Sequence, residues 1–228
     1  MYCRTAWCRR CRWIEGTGNE FEAAAMIRSW RPLLFVLIGA WFAVARPCSA
    51  QALIDGDLIF QTSRSAQSAA IQKATHSRYS HMGVVLSAHG RRYVFEAART
   101  VRMTPLDEWI ERGVGGHYVV KRLHAPLSDR QIDRLRQSTR DFEGKPYDAA
   151  FAWTDQRIYC SELVWKMFDR ALGIRIGALQ TLAEFALDDP VVRAGLRERY
   201  GNAIPLGEAV ISPQAMFASP LLDSVVER

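Results

Sequence analysis

The 228-residue chain predicts a single domain of α+β type. Three observations carry that reading. β-rich runs cluster between residues 57 and 123 around a glycine-containing turn. Apolar residues recur at helical spacing after Cys160. No internal repeat, low-complexity tract or heptad interrupts either pattern. A chain of this length builds a core large enough to need no cross-links. Its hydrophobic fraction of 49% is that of a globular protein.

The formal charge of +6 belongs mostly to one end of the chain. Residues 1–50 hold seven Arg and three Glu, so 23 of the 30 basic and 21 of the 24 acidic residues lie beyond them, a net of +2. The domain therefore has no electrostatic case for a nucleic-acid partner. Cysteine is distributed the same way. Cys3, Cys8, Cys11 and Cys48 precede residue 50, and Cys160 stands alone.

Residues 1–25 read as an extension from a mis-set translation start. Cys3, Cys8 and Cys11 lack the fourth ligand of a zinc site. Residues 26–50 have the layout of a secretory signal peptide: Arg28 and Arg31, an apolar run from Leu33 to Val44, then the small residues Ser49 and Ala50. The run is short for a membrane span, which needs about 20 residues. Cleavage after Ala50 or Ala52 is expected, with an uncleaved N-terminal anchor as the alternative. The mature domain, 51–228, would be periplasmic or secreted and keep one cysteine, which is either buried and inert or held free for chemistry.

Within the domain, Asp55-Gly56 marks a turn and Asp57 to Gln61 a strand. Ala66, Ala69, Ala70 and Ile71 give a weak helical face. Tyr79 to Leu86 and Arg91 to Ala97 flank Ser87-Ala88-His89-Gly90 as a hairpin. Pairing Leu86 with Arg91, or turning through a two-residue loop at 88–89, puts His81 directly across from Glu96 with Cβ atoms about 5 Å apart. A three-residue loop would place them on opposite faces. Thr104 to Arg112 reads as a short helix and His117 to Leu123 as a strand. Ser128 caps a helix through Asp141, with Ile132, Leu135 and Phe142 inward. Thr181 to Arg199 reads as one or two helices broken near Pro190, Ala209 to Pro213 as a closing strand and turn, and Gln214 to Arg228 as a terminal helix.

The chemistry centres on Ile158 to Trp165. Leu163, Val164, Met167, Phe168, Ala171 and Leu172 share one helical face, and Gly173 ends the helix. Cys160 then falls in the first turn, where unpaired N–H groups and the positive end of the helix favour a thiolate. A buried, inert cysteine is the competing reading. A thiolate nucleophile needs a base and a group to orient that base. His81 and Glu96 supply those types. His76, His89 and His124 show no partner in the sequence, and His117 is the second choice as base.

Five blocks in order resemble the YiiX/YebB-like proteins: Gly56 to Phe60, Tyr79 to Val85, Phe95 to Ala97, Gly144 to Asp148 and Tyr159 to Leu163. These are circularly permuted relatives of the NlpC-type, papain-like cysteine hydrolases. The resemblance runs from about residue 54 to Pro213. It implies a small antiparallel sheet packed on the cysteine-bearing helix. It also implies Cys160 as nucleophile, His81 as base and then acid, Glu96 as the group orienting His81, and Tyr147 beside the oxyanion. The expected reaction is acyl transfer through a thioester, on a cell-wall peptide amide or, alternatively, a lipid ester in the envelope near the membrane. A non-catalytic binding module is the rival reading, which loss of Cys160, His81 or Glu96 would have favoured. No cofactor is expected; no H-E-x-x-H or close ligand set follows residue 50.

Overall fold

The structure is a computed structural model that describes residues 52–228. The expected N-terminal extension, residues 1–25, and the expected signal peptide, residues 26–50, lie outside the described residues. The chain runs β1 (Leu58–Ser63), α1 (Ser68–Thr75), β2 (His81–Ala88), β3 (Arg91–Ala97), β4 (Val101–Pro105), α2 (Leu106–Glu111), β5 (Gly113–Leu123) and α3 (Asp129–Ser138). It continues through α4 (Cys160–Leu172), β6 (Gln180–Thr181), α5 (Pro190–Tyr200), β7 (Ala209–Val210), α6 (Pro213–Phe217) and β8 (Leu222–Glu227). Six strands form an antiparallel sheet in the order β4-β3-β2-β1-β5-β8, and β6 pairs with β7 apart from it. No helix among the described residues is long and apolar enough to cross a membrane.

Strand periodicity divides the core. Leu58, Phe60, Met82, Val84 and Phe95 point to one side of the sheet and pack with Leu163, Val164, Met167 and Phe168 of α4. Ile59, Val85, Val94 and Val120 point to the other, where Trp109 of α2 covers them. Each of these fully buried side chains contributes about 1.5–3 kcal/mol of transfer free energy. Helix α4 is the predicted one: it starts at Cys160 and ends at Gly173, whose φ of 68° suits a residue without a side chain.

The hairpin register differs from expectation by two residues. The chain turns through His89 and Gly90, both at positive φ, so Ala88 pairs with Arg91 and Val84 with Phe95. A shift of two preserves the face. His81 and Glu96 therefore share the side that Trp109 covers, as diagonal rather than opposite neighbours. Gly83 falls across from Glu96. A Cβ there would lie 2.4 Å from Val94 Cγ1 and 2.7 Å from the Phe95 carbonyl oxygen, so a side chain at 83 would push β3 away.

Pro190 marks the expected break: a 3-10 turn, Leu182–Glu184, precedes it, and it opens α5 at its first position, where its missing N–H costs nothing. Two other expectations are corrected. Thr104 belongs to strand β4, not to the helix, because Val101 to Pro105 completes the ladder of β3. The tail is not one helix. Pro220 stops it, and Leu222 to Glu227 forms β8 by pairing with β5, a partner about a hundred residues earlier.

Candidate active site

Cys160 is the first residue of α4 and is buried. Two bonds fix this helix end. The Ile211 N–H donates to Tyr159 Oη at 3.0 Å, and Ser161 Oγ donates to the Ile211 carbonyl at 2.8 Å. As the first helical residue, Cys160 has a backbone N–H with no partner inside the helix. Glu162, in the same first turn, accepts from Lys166 Nζ at 2.7 Å. Burial pushes its carboxyl up to about 7, more than Lys166 and the Tyr159 N–H offset. Negative charge two residues from the thiol is thereby disfavoured.

His81 opens β2 beside Gln61 of β1 and stacks on Trp109, with ring centres 5.9 Å apart. Its Nε2 lies 2.6 Å from Glu96 Oε2. Glu96 is wholly buried and has two further partners: Thr104 Oγ1 donates to its Oε1 at 2.6 Å, and Arg112 donates to the same oxygen. Burial alone would raise the Glu96 carboxyl, but the bonds from His81 and Thr104 and the charge of Arg112 hold it down to about 2. An ionised carboxylate only accepts, so Nε2 carries the proton. Nδ1 is left free of Glu96. Burial opposes charge on the imidazole, yet Cys160 and Glu96 outweigh it and hold His81 up to about 10. The imidazole is thus bonded to the carboxylate and acted on by the thiol.

Tyr147 follows the turn at Gly144 and makes an isolated bridge with Ile158, two residues before Cys160. Burial and the charge of Cys160 push its phenol well above the usual range, so it stays a neutral O–H. Phe151 sits between Ala150 and Ala152, whose N–H groups both donate to Asp148 at 2.8 and 2.7 Å. Its φ of 55° is uncommon for a bulky residue, and its ring packs edge-on against Tyr159 at 5.2 Å. Beside Cys160 opens an apolar cavity, walled by Ile71, Phe151, Leu182, Val192, Leu196 and Ile211.

The remaining histidines lie elsewhere. His117 is an outlying residue of β5, and His76 and His89 occupy turns at positive φ. His124 does have a partner, contrary to expectation: its Nδ1 is 2.6 Å from Asp223 Oδ2, on the surface. The sequence reading missed Thr104 and Arg112, which hold Glu96. Thr104 was hidden by the unrecognised strand β4, and nothing local marks Arg112.

An antiparallel sheet that carries histidine and carboxylate ahead of a cysteine-bearing helix is the papain-like arrangement in permuted order. Residues 52–226 match the model of the permuted papain-like amidases, the YaeF/YiiX or C92 family, and the chain belongs to that family. It is 52% identical over 172 residues to YiiX of Escherichia coli (strain K12), covering 75% of this chain and 85% of that protein. The crystal structure of metalloprotein yiiX from Escherichia coli O157:H7 superposes with a TM-score of 0.75 at 52% identity, covering 76% of this chain and 97% of the other. Membership places the chain among hydrolases of amidase type.

Proposed function

We propose that the protein is a cysteine hydrolase in which Cys160, His81 and Glu96 act as one acyl-transfer unit. The observation that carries this is the position of His81, bonded through Nε2 to a buried, ionised carboxylate and raised by the only cysteine of the domain. The Cys160 thiolate attacks the acyl carbonyl. The Cys160 N–H and the Tyr147 O–H hold the oxyanion. The His81 imidazolium gives its Nδ1 proton to the leaving nitrogen or oxygen as the acyl–heteroatom bond breaks. Water, deprotonated by His81, then opens the thioester and releases the acid.

The cavity beside Cys160 favours the second of the two substrate classes the sequence left open. An acidic wall peptide gains little from walls of Ile, Leu, Val and Phe, whereas an apolar acyl group buries there at about 25 cal/mol per Å². The scissile bond can be amide or ester at the same site. The test is hydrolysis of an octanoyl anilide and an octanoyl ester against that of an acidic wall peptide, with Cys160→Ala as control. Turnover of the octanoyl compounds that is lost in the control supports the reading. Preference for the wall peptide sinks the apolar-acyl assignment, and turnover by Cys160→Ala sinks the mechanism.

The solved relative is described as a metalloprotein. Among the described residues of this chain, no three His, Cys, Asp or Glu side chains group closely enough to hold a metal ion. His81 also commits its Nε2 to Glu96. These residues do not fit a metal centre, and no step is routed through one. We also read the protein as exported, on the layout of residues 26–50. Mass analysis of the protein from the cell envelope tests this: a chain beginning just after Ala50 or Ala52 supports cleavage, and a full-length chain in the cytoplasm refutes export.

A further inference from the structure

We propose that Gln67 and Arg199 are positioning residues that aim the phenolic proton of Tyr147 at the acyl oxygen. This rests on the hydrolase reading above and extends it to two residues outside the unit that forms and breaks bonds.

Gln67 Nε2 donates to Tyr147 Oη at 2.7 Å. An amide can often be turned end for end without visible conflict. Here it cannot, because Arg199 Nη2 donates to Gln67 Oε1 at 3.2 Å and a guanidinium has no acceptor to offer. The carbonyl end must face Arg199, so the NH₂ end must face Tyr147. The phenol oxygen is therefore an acceptor on that side. Among the described residues the phenol makes no hydrogen bond as donor, and its proton is left for a ligand. A phenol held by a carboxylate would have the reverse polarity and give its proton away. Arg199 is itself seated over the Phe151 ring, 5.2 Å from its centre, at the wall of the cavity beside Cys160. Gln67 stands at the N-cap of α1, where Ser, Thr, Asp or Asn would normally cap, and its side chain makes no capping bond. Its amide is thus committed to the relay and not to the helix. The raised phenol keeps Tyr147 protonated, as a donor requires.

The discriminating variant is Gln67→Glu. It keeps length and shape and strengthens the contact with Arg199, but offers Tyr147 an acceptor in place of a donor. Two rates are measured in the full-length protein. One is turnover of p-nitrophenyl octanoate, which passes through an oxyanion. The other is alkylation of Cys160 by iodoacetamide, which does not. The expected result is a fall in kcat of about a hundredfold, the low end of the scale for one lost oxyanion donor, with KM and alkylation near wild type. In a Tyr147→Phe background the substitution should add almost nothing further. Unchanged kcat in Gln67→Glu overturns the relay, and so does a loss fully additive with Tyr147→Phe. If Gln67→Glu fails to fold, seen as lost alkylation of the native protein, Arg199→Met decides. It frees the amide to turn, and a drop in kcat of a few fold that disappears with Tyr147→Phe is required. Wild-type protein that is alkylated but turns over none of the ester, the anilide and the wall peptide would defeat the hydrolase reading itself, a result distinct from wild-type turnover with indifferent variants.

Discussion

His81 and His124 each meet a carboxylate oxygen at 2.6 Å, in two very different regions of the same sheet. The side chains of His81 and Glu96 are 11% and 0% exposed, whereas those of His124 and Asp223 are 51% and 66% exposed. Both imidazoles are raised, His124 by Asp223 and the Pro220 carbonyl, yet water surrounds that pair and screens it. No thiol lies on its far side, because its other nitrogen faces the Pro220 carbonyl at 2.6 Å. The contrast shows that a short His–carboxylate contact is not by itself a site. What distinguishes His81 is a buried carboxylate with three donors, and a thiol that acts on the same ring.

The largest break in this contrast comes from its nucleophile. Cys160→Ala is expected to abolish ester turnover, a loss of at least about 10⁴-fold, while circular dichroism stays native. His81→Ala should come close to it. Glu96→Gln should cost about 10²–10³ in kcat by freeing the imidazole to turn. It should also lower stability by about 3 kcal/mol in urea titration, since Arg112 and Thr104 lose a buried ionic acceptor. Gly83→Ala, which touches no reacting group, should lower stability by about 2 kcal/mol through its clash with Val94 and the Phe95 carbonyl.

The pH dependence sharpens the same contrast. His81 is raised from 6.5 to about 10, so its imidazolium and the stability it brings are complete below about 6.5 and lost as pH rises through about 10. Glu96 is lowered from 4.5 to about 2, so its contribution is complete above about 4.5 and lost as pH falls through about 2. Turnover needs the imidazolium to protonate the leaving group, and alkylation does not. Turnover of the octanoyl anilide, whose nitrogen must be protonated to leave, should therefore fall as pH passes about 10 while alkylation of Cys160 keeps its rate. A fall in turnover near pH 6.5 would mean that the pair is uncoupled. The smallest effect belongs to the exposed pair: His124→Ala should leave kcat within about twofold of wild type.

What could be read from the sequence follows from the range of the forces involved. Helix α4 repeats its apolar face every three to four residues, so its extent, its glycine stop and the place of Cys160 were legible. The shared face of His81 and Glu96 was one of two readings the sequence left open, and the observed two-residue loop selects it because side-chain alternation survives a register shift of two. The register itself was not, since it depends on His89 adopting a positive φ beside Gly90. Strand β8 was hidden because its apolar residues make sense only against β5. The residues that hold the site in place were hidden for the same reason. Thr104, Arg112, Gln67 and Arg199 act through contacts between distant segments, and no local pattern marks them.

The most direct test of the linked Cys160–His81–Glu96 unit is to quench the reaction with p-nitrophenyl octanoate and map the acyl group by mass spectrometry. A single octanoyl thioester on the peptide that carries Cys160 is predicted, formed rapidly in wild type, slowly in Glu96→Gln and scarcely in His81→Ala. Turnover with the acyl group on another residue, or acylation of Cys160 at the same rate in all three proteins, would contradict it.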